Sequence, residues 1–248
     1  MKAVLLVMLS LLTVNSVVSQ TKINPDKSKH HIYLLIGQSN MAGRANFSGE
    51  DSRAIPRAFL FDDKNNWQEA TNPLNRFSSI RKDLKMQRMG PGYHFAKTMA
   101  VQNKDISLGL VVNAKGGTKI AQWKKGTVFF KDAVARCKKA MESGTLKGIL
   151  WHQGEGDQKN SKYAEELAQL VTDLREALGQ KELPFVAGEI KQSGTAVNKQ
   201  INELPGKLQN TGVASSKDLT MFDGTHFDSK SARILGERYA QEMSKLIK

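Results

Sequence analysis

Three short runs of this 248-residue chain gather side chains suited to acyl transfer. The first is GQSNMAGR, residues 37–44, where Ser39 stands on a glycine-led turn directly after an apolar run. A serine on a tight turn between a strand and a helix has its hydroxyl held out over the sheet edge. The second is DGTHFD, residues 223–228, with Asp223 three positions ahead of His226. At that separation a carboxylate can accept the imidazole Nδ1–H and leave Nε2 free to take a proton from a serine. A helix beginning just behind His226 disfavours the imidazolium and keeps the base neutral. The third is WHQGEGD, residues 151–157, in which His152, Gln153, Glu155 and Asp157 surround two glycines. Polar groups at a buried strand end are costly unless partnered. The Gln153 amide suits an oxyanion donor, and Glu155 suits a brace for the loop or the histidine. His152, Glu155 and Asp157 lack zinc-site spacing and have no cysteine beside them, so no metal is expected.

Each run alone has an ordinary reading as a turn, a capping aspartate with a surface histidine, or a polar loop. Together they supply nucleophile, acid and base in the order Ser, Asp, His, and the glycine pair Gly116-Gly117 offers a backbone N–H to a developing oxyanion. The elements that must position them follow from hydrophobic patterning. Buried-strand runs are read at residues 31–36, 58–61, 106–112, 148–151 and 184–187. Tyr163, Leu167, Leu170, Val171, Leu174 and Leu178 follow helical periodicity, and Ala232, Leu235, Tyr239, Met243 and Leu246 form the face of a last helix begun at Asp228 or Ser229. Alternating strands and helices imply an α/β fold, a central parallel sheet of about five strands with helices on both faces. Ligands in such folds bind beyond the carboxyl ends of the strands, where all three runs lie.

Residues 1–19 pair Lys2 with a short apolar core and small residues near a plausible cut, which predicts a secretory signal peptide and a mature start at Gln20 or Thr21. Residues 20–30 read as a polar, loose lead-in and 31–248 as a single domain, secreted or periplasmic, with no membrane partner once the leader is removed. With Cys137 as the one cysteine, no internal disulfide can form. Phe130, Val134, Cys137 and Met141 recur at helical spacing, so the thiol is expected to serve as a small core hydrophobe. The net charge of +13 is scattered, without a stripe of lysines and interleaved aromatics. It predicts attraction to polyanions or acidic glycans and no nucleic-acid partner.

GQSNM after the first strand, the mid-chain glycine pair, WHQGE-x-D and DGTHF resemble, in this order, the sialate O-acetylesterase-like branch of the SGNH hydrolases, which includes carbohydrate esterase family 6 with its acetylxylan esterases. The resemblance spans roughly residues 30–245. It implies a three-layer α/β/α, flavodoxin-like sandwich and cofactor-free removal of acetyl groups from sugar hydroxyls. It also implies Ser39 as nucleophile, His226 as base and Asp223 as its acid, with the N–H groups of Ser39 and Gly117 and the Gln153 amide as oxyanion donors. The usual Gly-Asp-Ser-Leu is here Gly-Gln-Ser-Asn and the expected Asn of the third block is Gln153, which leaves open whether Glu155 assists or replaces Asp223.

For the substrate, acetylated xylan or another plant-type polysaccharide is expected, with O-acetyl sialic acid as the alternative and a monomer as the acting form. Trp123 is either a sugar platform or a core residue. Arg44 either steers an acidic sugar or braces its loop. A glycan-binding protein on the same fold and a lipase are the rival classes. The intact Ser39, Asp223 and His226 weigh against the first, and the polar loop 44–57 does not resemble a lipase lid. Asn46-Phe47-Ser48 is a glycosylation sequon so near Ser39 that a glycan would crowd the site.

Overall fold

The computed structural model describes residues 23–190 and 195–247; the leader expected at 1–19 lies outside them. In chain order the elements are β1 (His30–Gly37), α1 (Ser39–Ala42), β2 (Ala58–Phe61), β3 (Trp67–Glu69), α2 (Pro91–Gln102), β4 (Ser107–Ala114), α3 (Val128–Ala140) and β5 (Thr145–His152). They continue with α4 (Tyr163–Ala177), β6 (Phe185–Gly188), α5 (Ala196–Asn202), α6 (Leu204–Lys207), β7 (Thr211–Ala214) and α7 (Ser229–Leu246). The strands form one sheet in the order β3-β2-β4-β1-β5-β6-β7, parallel except for β3, which runs antiparallel to β2.

Period-two alternation on the central strand sorts the core. Tyr33 and Leu35 join a cluster under α2 and α7, with Tyr93, Phe95, Leu235 and Tyr239. Ile32, Leu34 and Ile36 face the opposite cluster, with Trp123, Cys137, Trp151 and Leu174. Both faces of β1 are therefore buried, which is why its sequence reads as a continuous apolar run. Cys137 is buried, and desolvation pushes its thiol up to about 12, as expected of a core hydrophobe.

The sheet has seven strands where about five were expected. β3 has three residues, of which Trp67 alone is buried, and β7 is a four-residue edge strand that includes Gly212; neither is long enough to show a period. The lead-in is also more ordered than its polarity implies. Ile23 bridges Trp67, Asp26 caps a short 3₁₀ turn at Lys27–Lys29, and β1 has already begun at His30. The last helix starts where it was read, with Asp228 accepting from Ser231 N at 2.8 Å.

Two fully buried imidazoles make stability depend on acid. Desolvation lowers His152 to about 3, and lowers His30 to about 4 with help from the neighbouring His31. Both are neutral when folded, whereas the unfolded chain binds a proton near the ordinary value of 6.5. Folded values are thus depressed, so stability is present above about 6.5 and is lost as pH falls toward 4 and 3, by up to about 1.4 kcal/mol per pH unit for each group. Urea titrations from pH 7 to 4 are expected to show this loss, and His152→Asn is expected to flatten it. An unchanged slope would exclude His152 as a source.

Candidate active site

The strand order reverses between β1 and β4, and the crevice at their carboxyl ends is where the motifs meet. β1 ends at Gly37, whose φ of +134° is in the glycine-favouring region and whose added Cβ would stand 2.2 Å from His152 O. With Gln38 N donating to that same oxygen at 2.8 Å, the chain turns tightly over the end of β5 and presents Ser39 as the first residue of α1.

His226 Nε2 lies 3.0 Å from Ser39 Oγ, and His226 Nδ1 lies 2.6 Å from Asp223 Oδ2. A carboxylate only accepts, so Nδ1 carries the proton and Nε2 presents its lone pair to the serine hydroxyl. Asp223 Oδ1 accepts from Thr225 N at 3.0 Å and from His226 N at 2.8 Å. Partial burial would raise the Asp223 carboxyl, but these bonds and the imidazole hold it below the usual carboxylate range. The exposed ring of Phe222 stacks on His226 with centroids 5.9 Å apart. Phe222 was not singled out in the sequence, although its place directly before DGTHF is a usable signal.

Opposite the serine runs the loop after β4. Lys115 N donates to Gly37 O at 3.0 Å, and buried Asn75 pairs with both the N–H and the C=O of Ala114, each at 3.0 Å. Gly116 packs against Ser39: an added Cβ would meet Arg44 Nη2 at 2.8 Å and Ser39 Cβ at 3.2 Å. Gly117 has φ +75°, and Lys82 Nζ lies 3.3 Å from where its Cβ would be. The N–H groups of Ser39 and Gly117 make no hydrogen bond to protein among the described residues, which is the condition an oxyanion donor must meet.

Two expected site residues are placed elsewhere. Gln153 is fully buried, and its Nε2 donates to Thr118 O at 2.8 Å and to Asp157 Oδ2 at 2.6 Å. Both amide protons are spent on acceptors, so Gln153 is not an oxyanion donor; it braces the loop carrying Gly117, with Asp157 also accepting from Ile120 N at 2.9 Å. Trp123 is likewise no sugar platform. It is fully buried, donates to Thr118 Oγ1 at 3.1 Å and packs edge-on against Trp151. Gln153→Ala should leave buried acceptors unpaired and cost about 1–3 kcal/mol, several degrees in Tm. A fall in kcat with unchanged melting would restore the oxyanion role.

Glu155 Oε1 accepts from Asn40 Nδ2 at 2.6 Å and stands 3.8 Å from His152 Nε2. The carboxylate hydrogen-bonded to His226 is Asp223. Arg44 donates to Gly43 O at 2.7 Å and reaches Gly116, so it both braces its loop and faces the serine. Loop 44–57 is pinned rather than hinged: Asp51 accepts from Arg233 at 2.9 and 2.6 Å and meets His94 Nε2 at 2.8 Å. Beside it a cavity of about 600 Å³ is walled by Phe47, Phe77, Arg76, Arg81, Leu84 and Arg88. It adjoins the nucleophile turn, since Arg88 N donates to Gly43 O at 3.1 Å and Ala45 pairs with Met89. Among the described residues no three His, Cys, Asp or Glu side chains are grouped as metal ligands.

A family model described as carbohydrate esterase, sialic acid-specific acetylesterase, matches residues 29–245. A probable carbohydrate esterase of Arabidopsis thaliana is 29% identical over 238 residues, covering 86% of this chain and 89% of its own. A solved structure of an Arabidopsis thaliana protein superposes with a TM-score of 0.78 at 25% identity, over 88% of this chain and 98% of its own. NanS superposes with a TM-score of 0.68 at 16% identity, over 90% and 98% respectively, a likeness of fold.

Proposed function

The chain belongs to the sialic acid-specific acetylesterase family of SGNH-type carbohydrate esterases, and from that premise we propose a serine esterase that deacetylates xylan or another plant-type polysaccharide. The reading is carried by one observation: Ser39 Oγ, His226 and Asp223 form a continuous relay of 3.0 and 2.6 Å beside two unspent backbone N–H groups. His226 removes the Ser39 proton as Oγ attacks the acetyl carbonyl, and the N–H groups of Ser39 and Gly117 hold the oxyanion. Collapse breaks the ester C–O bond, and His226 gives its proton to the departing sugar oxygen. Water, deprotonated by the same imidazole, then cleaves acetyl-Ser39 to acetate and restores the serine. Phe222 beside His226 and the phenylalanine-walled cavity offer apolar faces for sugar rings.

A second reading, an O-acetylated acidic sugar such as sialic acid, is favoured by Arg44 and Lys82, whose cationic groups border Gly116 and Gly117. Acetate release should separate the two. Acetylated xylan is expected to be turned over with little dependence on NaCl, and Arg44→Gln to change it only slightly. Turnover confined to O-acetyl sialic acid, weakened by salt and by Arg44→Gln, would overturn the polysaccharide assignment. Export by the leader read at 1–19 belongs to the same proposal; the mature protein is expected to begin at Gln20 or Thr21 on N-terminal sequencing.

A further inference from the structure

The side chain next to the nucleophile has no part in the relay, yet it joins all three motifs. Asn40 is 4% exposed. Its Nδ2 donates to Glu155 Oε1 at 2.6 Å and to Thr225 O at 3.1 Å, and its Oδ1 accepts from Phe227 N at 3.1 Å. With two acceptors at the nitrogen and a donor at the oxygen, the amide has one orientation that satisfies it. Thr225 O and Phe227 N flank His226 on either side. A single side chain therefore grips the backbone before and after the base while being bonded in sequence to the nucleophile.

The loop needs such a grip. Residues 222–225 are exposed, and most of their hydrogen bonds stay within the loop, from Phe222 N to His226 O and from Thr225 and His226 to Asp223. Among the described residues, residues 221–227 hydrogen-bond outside their own loop to two side chains only, Ser39 and Asn40. The Ser39 bond is the one that must break and reform in each cycle, so it cannot also serve as the fixed support. Glu155, reaching from the turn after β5, completes the arrangement by holding the amide nitrogen toward Thr225 O.

We propose that Asn40 is a positioning residue, clamping the His226 loop to the nucleophile turn, and that Glu155 acts through it by fixing the orientation of its amide. The proposal rests on Ser39 and His226 being nucleophile and base. Displacing a catalytic group by about 1 Å costs on the order of 10²-fold in rate, and the clamp controls a displacement of that kind.

The test compares the full chain with Asn40→Ala, Asn40→Asp and Glu155→Gln, using 4-nitrophenyl acetate kinetics, thermal melting and hydrogen exchange. Asn40→Ala is expected to lower kcat by about 10–100-fold with KM nearly unchanged. Exchange is expected to rise in residues 221–228, at Phe227 N–H above all, and to stay unchanged in the sheet. Asn40→Asp keeps the size and the acceptor for Phe227 N but loses both donors and sets a carboxylate against Glu155. It is expected to be impaired at least as much, and it decides the matter if the alanine variant does not fold. Glu155→Gln still offers an oxygen to Asn40 and is expected to retain most activity. Unchanged kcat in folded Asn40 variants would overturn the proposal. So would exchange rising throughout the sheet as melting falls, which marks a merely structural residue. A wild-type chain without esterase activity would overturn the acyl-transfer reading, whereas exchange at 221–228 indifferent to Asn40 would overturn the clamp itself.

Discussion

Ser39→Ala is expected to lower kcat for acetate release by roughly 10⁴–10⁶-fold while leaving the fold intact. Among the described residues the hydroxyl makes one hydrogen bond to protein, to His226 Nε2 at 3.0 Å, so its removal leaves no buried acceptor unpaired. Alanine also suits the first position of α1. The melting temperature should therefore barely move, and the residual rate should come from substrate held near the N–H groups of residue 39 and Gly117. Mass spectrometry supplies a second readout. Quenched wild type should carry an acetyl group on the peptide containing Ser39, and the variant should not. Because nucleophile and base work as one unit, adding His226→Ala should lower the rate little further. Activity retained by Ser39→Ala would exclude the acyl-enzyme path.

Asp223→Asn is expected to cost about 10²–10⁴-fold in kcat, with KM changed far less. An asparagine can still accept from Thr225 N and His226 N, so the loop should keep its shape. What changes is the tautomer. An amide N–H directed at Nδ1 forces the imidazole proton onto Nε2, and the lone pair that faces Ser39 is lost. The Asp223 carboxyl lies below the usual carboxylate range despite the opposing effect of partial burial. A depressed value means that the ionised, working form is present above that range and is lost only as pH falls below it. Asp223 should therefore stay ionised through mild acid and add no limb to the pH profile of kcat/KM until pH falls below the usual carboxylate range. A loss below tenfold in Asp223→Asn would mean that another group orients the imidazole. The carboxylate found on Nδ1 is Asp223, whereas Glu155 Oε1 holds Asn40 Nδ2 at 2.6 Å.

The parts of this protein legible in its sequence are those set by local covalent spacing. Ser39 after a glycine-led turn, and Asp223 three positions before His226, are each marked by local spacing, so residue type and order singled them out, although Ser39 and His226 are joined only by the fold, across 187 positions. The five strand runs were legible for a related reason: strands buried on both faces must be continuously apolar, and the last helix declared its start by a capping aspartate. The strands β3 and β7 were not legible, because three or four residues at a sheet edge take their conformation from the neighbouring strand.

The roles of the remaining site residues were decided by which neighbours the fold packs against them. Gln153 has the amide of an oxyanion donor, but Thr118 and Asp157 occupy both its protons, and which way a strand-end side chain turns depends on the loop packed against it. Trp123 has the ring of a sugar platform, but Trp151 and Thr118 enclose it. Asn40 drew no reading from the sequence; the fold brings Glu155 to it across 115 positions and Phe227 across 187. Sequence by itself determined which residues were candidates for the reaction, because that chemistry is carried by residue type and short spacing. Tertiary structure alone decided which polar groups stay free to meet a substrate, because a buried donor takes whatever acceptor packing brings within about 3 Å.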